Sequence, residues 1–263
     1  MAATLAHIVF FLILTLLTQI GGLVYVVSLV IVKRVNFKNQ YLKFGVFPAL
    51  YLISCFLIVP LLAVLLGRER VINTKHINPA NYMTVLLNRN YVIPELNQVL
   101  VQAEQSLAGT GIEIHYLDAS FPFIDGYPLL PHLSHRDGKK LDISLMYTDN
   151  EGELTNEKPS MSGYGVFEEP KSDEINQTRD CKARGHLQYD FPKYLTLGHI
   201  HPELQYSNYH TRLLIQALLK KQTVSKIFIE PHLKNRLKIK DARIAFHGCG
   251  AVRHDDHIHI QVR

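Results

Sequence analysis

The chain has 263 residues, 47% of them hydrophobic, with three Cys, no Trp and a formal charge of +5. A basic balance invites a nucleic-acid partner, but the excess is confined. From residue 71 onward 22 Lys and Arg face 22 Asp and Glu, and before that six basic residues stand against Glu69 alone. The charge borders apolar sequence and does not form a groove for a polyanion, which excludes nucleic acid as the expected partner and points to membrane topology.

Residues 5–32 hold no Asp, Glu, Lys or Arg and a single His, His7; residues 44–66 hold none of these five types. About 20 apolar residues rising 1.5 Å each cross ~30 Å of hydrocarbon, so both runs are expected as transmembrane helices in contact with lipid. A hairpin at Gly21-Gly22 would leave each half too short to cross, so one helix is expected over 5–32. No Lys or Arg opens that run, unlike a cleaved signal peptide. The loop at 33–43 carries four basic residues and no acid, which places it in the cytoplasm and both termini outside. Residues 1–70 therefore read as a membrane anchor and 71–263 as an extracytoplasmic domain.

Within that domain Asn78-Pro79 reads as a helix N-cap with Pro at the first helical position. Apolar residues at 96, 99, 100, 103 and 107 predict a helix over 94–107. Strands are expected at 111–117 and 141–147. The stretch 150–206 is polar and rich in Gly, Pro, Glu and Asn, and reads as a functional loop region or lid. A helix at 209–221, a strand at 226–230, a short helix at 231–237 and a last strand at 256–262 follow. The mixture predicts an α+β domain with a small antiparallel sheet. Cys55 lies in the second apolar run. Cys181 and Cys249 both fall in the outer domain, where one disulfide is allowed, although their spacing does not decide it.

Thirteen of the fourteen His follow residue 70, and two segments concentrate them: His132-Leu-Ser-His135-Arg-Asp-Gly138, continuing to Asp142, and His254-Asp-Asp-His257-Ile-His259. His135 precedes a turn at Gly138, and Asp142 enters the following strand. His257 and His259 lie two apart on a strand, so both imidazoles share one face. Two imidazoles and a carboxylate, with the fourth position left to water, make a catalytic zinc shell. Asp255 and Asp256 are candidates to hold an imidazole tautomer, but adjacent strand residues face opposite ways and only one can reach the site. His199 and His201 form another H-x-H, with no carboxylate at matched spacing, and read as a loop feature. His186, His210, His232 and His247 receive no role, nor do Ser144 and Asp137.

His135-x6-Asp142 followed by His257-x-His259 resembles the zinc peptidases of the hedgehog and D-Ala-D-Ala peptidase fold. The added His132 and His254 are similar to the penicillin-insensitive murein endopeptidases, as is the segment Ile-Phe-Ile-Glu-Pro-His-Leu-Lys-Asn-Arg-Leu at 227–237. The likeness covers about residues 110–263, with 150–206 matching poorly. It implies zinc on His135, Asp142 and His259, His257 as the active-site histidine beside a metal-bound water, and His132 and His254 as supporting histidines. It further implies a metallo-endopeptidase that cuts peptide cross-links in bacterial peptidoglycan, with the peptide stems as partner and the domain on the periplasmic side of the inner membrane. Two features depart from the family. Its secreted members have a signal peptide where this chain keeps apolar runs, and its several disulfides cannot form with two Cys outside the membrane. The competing expectation is a zinc-containing binding or signalling module of the same fold that performs no hydrolysis. A metal-transport accessory is disfavoured, since the apolar runs carry no acid or base beyond His7.

Overall fold

The first apolar run does not form one helix. In the computed structural model, which describes residues 2–35 and 37–263, it divides into α1 (Ala2–Thr18) and α2 (Gly21–Val35) about a turn at Gln19-Ile20. Gln19 takes φ +68°, and Thr18 Oγ1 accepts from the Gly21 N–H at 2.8 Å. The two helices run antiparallel, with Phe10 edge-on to Tyr25 at 4.9 Å between ring centroids. A Cβ on Gly22 would lie 2.0 Å from Thr15 Oγ1 and 2.7 Å from Phe11 O, so this pairing requires the missing side chain. The glycine pair thus closes a hairpin, and the single helix expected over 5–32 is corrected to two of about 25 and 22 Å.

The second run is helical from end to end. α3 (Gln40–Leu65) is the one helix among the described residues long and apolar enough to cross a membrane. Its middle, Ser54–Ile58, is a π turn in which the Val59 N–H donates to Ser54 O. A π register would pair Cys55 O with residue 60, but Pro60 has no N–H, and the Arg70 guanidinium takes that orphaned carbonyl instead. Arg70 also lies over the Phe56 ring at 5.1 Å, and the Tyr51 hydroxyl donates to Leu86 O at 2.7 Å. These contacts, made from its middle, seat the C-terminal half of α3 on the following domain, where Cys55, Val59 and Ala63 are buried with Tyr91. The hairpin tip docks there too, where the Phe123 N–H donates to Gln19 Oε1 at 2.9 Å and the Tyr127 hydroxyl to Thr15 O at 2.7 Å. The start of α1 consequently lies at the same end of the bundle as Lys33 and Arg34 at the end of α2, opposite the domain. The expected arrangement, with both termini on one side, is corrected accordingly.

The domain is α+β, built on a six-stranded sheet. Its strands are β1 (Ile77–Pro79), β2 (Ile114–Tyr116), β3 (Lys140–Ser144), β4 (Val224–Phe228), β5 (Ile244–Ala245) and β6 (His257–Val262), in the spatial order β5-β4-β6-β3-β2-β1. The centre is antiparallel, but β1 with β2 and β4 with β5 are parallel. The sheet is therefore mixed, not the purely antiparallel one expected. Helices account for this, since α4 (Pro94–Ser106) lies between β1 and β2, and α6 (Pro231–Leu237) between β4 and β5, as parallel crossovers require. Asn78-Pro79 belongs to β1, and the helix expected there begins later, at Tyr82, capped by Asn81. A second sheet of three two-residue strands joins Tyr147–Thr148 to Leu154–Thr155 and Gln205–Tyr206.

Alternation along the two central strands sorts their side chains. Leu141, Ile143, Ile258, Ile260 and Val262 point into a core shared with Leu96 and Leu100 of α4 and with Leu214 and Leu218 of α5 (Asn208–Leu218). Full burial of one such side chain contributes about 1.5–3 kcal/mol, so this layer fixes the pairing register. Asp142, His257 and His259 point the other way, beneath the 150–206 segment. That segment is largely irregular, with a helix at Gln177–Ala183 and a 3₁₀ stretch at Leu187–Tyr194. A disulfide between Cys181 and Cys249 ties it to the turn before the last histidine motif.

Candidate metal centre

The register of β3 with β6 places His259 directly opposite Asp142, and His257 opposite Ser144 two positions along the same face. His135 arrives from the loop before β3. Gly138, at φ +69°, lets that loop cross the Arg68 guanidinium, because a Cβ there would lie 2.0 Å from Arg68 Nη1. The His135 Nδ1–H donates to Ala119 O at 2.9 Å, which turns Nε2 toward the site.

Three atoms then converge. His135 Nε2 is 3.1 Å from both Asp142 Oδ1 and His259 Nδ1, and His259 Nδ1 is 2.9 Å from Asp142 Oδ1. A triangle of those sides has a circumradius of about 1.8 Å, so one point lies about 2 Å from all three atoms, the distance of a transition-metal–nitrogen or –oxygen bond. All three residues are buried. Burial drives the His259 pKa down to about 3, keeping that ring neutral. Burial also works against the charge on Asp142, but His135, His257 and His132 hold its carboxyl well below the usual carboxylate range. Converging lone pairs around a buried carboxylate call for a cation, and this donor set fits a metal ion.

The remaining histidines surround the same point. His257 directs Nε2 toward Asp142 Oδ1 at 3.6 Å, and that buried nitrogen has no hydrogen-bond partner. Its Nδ1–H is held by Asp256 Oδ1, while Asp256 Oδ2 accepts from the Gly165 N–H at 2.7 Å. Burial resists a charge on His257, yet Asp142 and Asp256 outweigh it and push the pKa up to about 9; a cation held by Asp142 would oppose that charge and favour the neutral ring, whose Nε2 carries a lone pair. Of the two acids considered from sequence, Asp256 therefore faces the site, whereas Asp255 turns away to Arg253. His132 Nδ1 lies 3.2 Å from Asp142 Oδ2. The His254 ring sits 4.9 Å from that of His257 and 5.5 Å from that of His259. Two further triplets, His132–Asp142–His257 and His254–His257–His259, bring ligand atoms within 4.8 Å of one another. All six residues singled out from sequence meet in one cluster.

No protein-family model and no curated protein matches the chain.

Tyr164, from the 150–206 segment, joins the site without having been singled out by any motif. Its hydroxyl donates to Asp142 Oδ2 at 2.8 Å and accepts from the Asp118 N–H at 3.1 Å. Burial and the nearby carboxylates keep the phenol protonated, with its pKa well above the ordinary value. Together with His132 it occupies Oδ2 and leaves Oδ1 turned to the ligand point. The signal in the sequence was the Gly-Tyr-Gly triplet, whose glycines take φ +88° and +81°. Asp118, buried and paired with Arg89 at 2.7 Å, and His247, 5.2 Å from His254 between ring centroids, also adjoin the cluster. His201 faces Glu203 on the surface, and His232 bonds Glu168 O at 2.8 Å. Ser144 Oγ donates to Leu145 O, and Asp137 pairs with Lys140.

Proposed function

We propose that this protein is a membrane-anchored zinc metallo-endopeptidase that hydrolyses peptide cross-links of bacterial peptidoglycan. The observation that carries the reading is the convergence of His135 Nε2, Asp142 Oδ1 and His259 Nδ1 on one point, with an unpartnered His257 Nε2 beside it. Zinc held by the three ligands would polarise a substrate carbonyl and acidify a water. His257, its Nδ1–H fixed by Asp256, presents the Nε2 lone pair that takes the proton of the attacking water and returns it to the leaving amine. His254, whose pKa burial holds well below the ordinary value, is a neutral imidazole that donates toward the developing oxyanion. His132 and Tyr164 position Asp142. His132, His254 and His259 also line an open cleft, which gives a substrate access.

The proposed setting is the periplasmic side of the bacterial inner membrane. Support comes from the basic 33–43 loop at the end of the bundle away from the domain, and from the disulfide, which persists in oxidising compartments. The test is digestion of purified sacculi by the full-length, zinc-loaded protein in detergent. Loss of cross-linked muropeptides is expected with the wild type and not with His257→Ala or His259→Ala. Equal digestion by these variants would overturn the assignment. A non-catalytic zinc module is the second reading, favoured by the reach of His257 Nε2 toward the same ligands. Metal spectroscopy showing four protein ligands would select it.

A further inference from the structure

The cleft above the candidate centre has a volume of about 530 Å³, within the range of sites that enclose a substrate group. Leu130, Leu133, Phe191 and Val252 contribute to its walls, and His254 and His259 reach it from the site. No Lys, Arg, Asp or Glu lines it among the described residues. Two guanidiniums that adjoin its lining residues are already engaged. Arg253 is buried against Asp255 and Glu169, and Arg89 is held by Asp118 and Leu130 O. A substrate carboxylate entering here would lose water and find no Lys or Arg on the walls to take its place. An apolar group would instead cover Leu130, Leu133 and Phe191, each more than half exposed.

We infer that this cleft takes an uncharged, apolar side group next to the scissile amide and rejects one bearing a free carboxylate. The inference rests on the hydrolase reading and narrows it. Within peptidoglycan it selects cross-links whose flanking carboxylates are amidated or replaced by an apolar residue.

The experiment compares synthetic D-alanyl peptides that differ only in the residue beside the scissile amide, namely leucine, glutamine or glutamate, with the full-length zinc-loaded protein in detergent. The leucine and glutamine peptides should exceed the glutamate peptide in kcat/KM by at least about tenfold, the scale at which a site separates groups it can and cannot satisfy. Dissociation constants of the same peptides with an N-methylated scissile amide, measured by calorimetry, should follow the same order without turnover. Phe191→Arg puts a cation on an exposed part of the wall and should reduce the discrimination roughly fivefold or more. Equal handling of the three peptides, or preference for glutamate, would overturn the inference and leave the hydrolase reading standing. Cleavage of no peptide and no sacculus would remove the hydrolase reading and this inference with it.

Discussion

Asp256→Asn isolates the role given to His257. The Asp256 carboxylate accepts twice, from the His257 Nδ1–H and from the Gly165 N–H at 2.7 Å. An asparagine has one acceptor oxygen for these two donors. The backbone N–H cannot change its nature, whereas an imidazole can move its proton. The amide oxygen should therefore turn to Gly165 and the NH₂ to His257 Nδ1, forcing the proton onto Nε2. That tautomer has no lone pair facing the ligand point, so the general base is lost while shape and packing are kept. General bases contribute about 10²–10⁴-fold, so kcat should fall by that factor, or about 3–5 kcal/mol of barrier. Zinc affinity should change little, because Asp256 touches none of the three ligands. Release of muropeptides gives the rate, and ¹⁵N shifts of the His257 ring report the tautomer. Retention of more than about a third of wild-type kcat, with Nε2 protonated, would refute the reasoning.

Three further outcomes follow from other parts of the molecule. Tyr164→Phe removes a donor from Asp142 Oδ2 and should weaken zinc binding about 10–100-fold in a chelator competition; an unchanged affinity would deny the tyrosine its positioning role. Cys181→Ser with Cys249→Ser opens a loop of 68 residues and should lower unfolding stability by about 4 kcal/mol in urea titrations, against no change if the reduced chain is equally constrained. Hydrogen bonds from Arg236 hold the Glu174 pKa down to about 2, so its contribution is complete above about 4.5 and is lost as pH falls toward 2. Glu174→Gln should flatten the decline of Tm across that window, and an identical decline in both proteins would contradict it.

The parts of this structure written locally in the chain were legible. Helix α4 follows from apolar spacing, and the shared face of His257 and His259 follows from strand alternation alone. The pairing of His259 with Asp142 needed β-strand register, which no spacing states, and it was reached through resemblance. Asn78-Pro79 carries a helix-start signal, but parallel pairing with β2 placed it in a strand, tertiary context prevailing over local preference. At Gly21-Gly22 span length favours one helix, while the decisive quantity is the approach of Gly22 to Thr15, visible only in three dimensions. Tyr164 stayed hidden because an irregular segment has no period from which to infer which side chain points inward.

If His135, Asp142 and His259 hold one metal ion, the metal content and X-ray absorption spectrum of the full-length protein, purified in detergent with zinc, will show it. One zinc per chain is expected, with imidazole nitrogens at about 2.0–2.1 Å and a carboxylate oxygen at about 2.0–2.2 Å, and loss of the ion in His135→Ala and Asp142→Ala. A wild-type chain without zinc, or zinc retained unchanged in both variants, would contradict it.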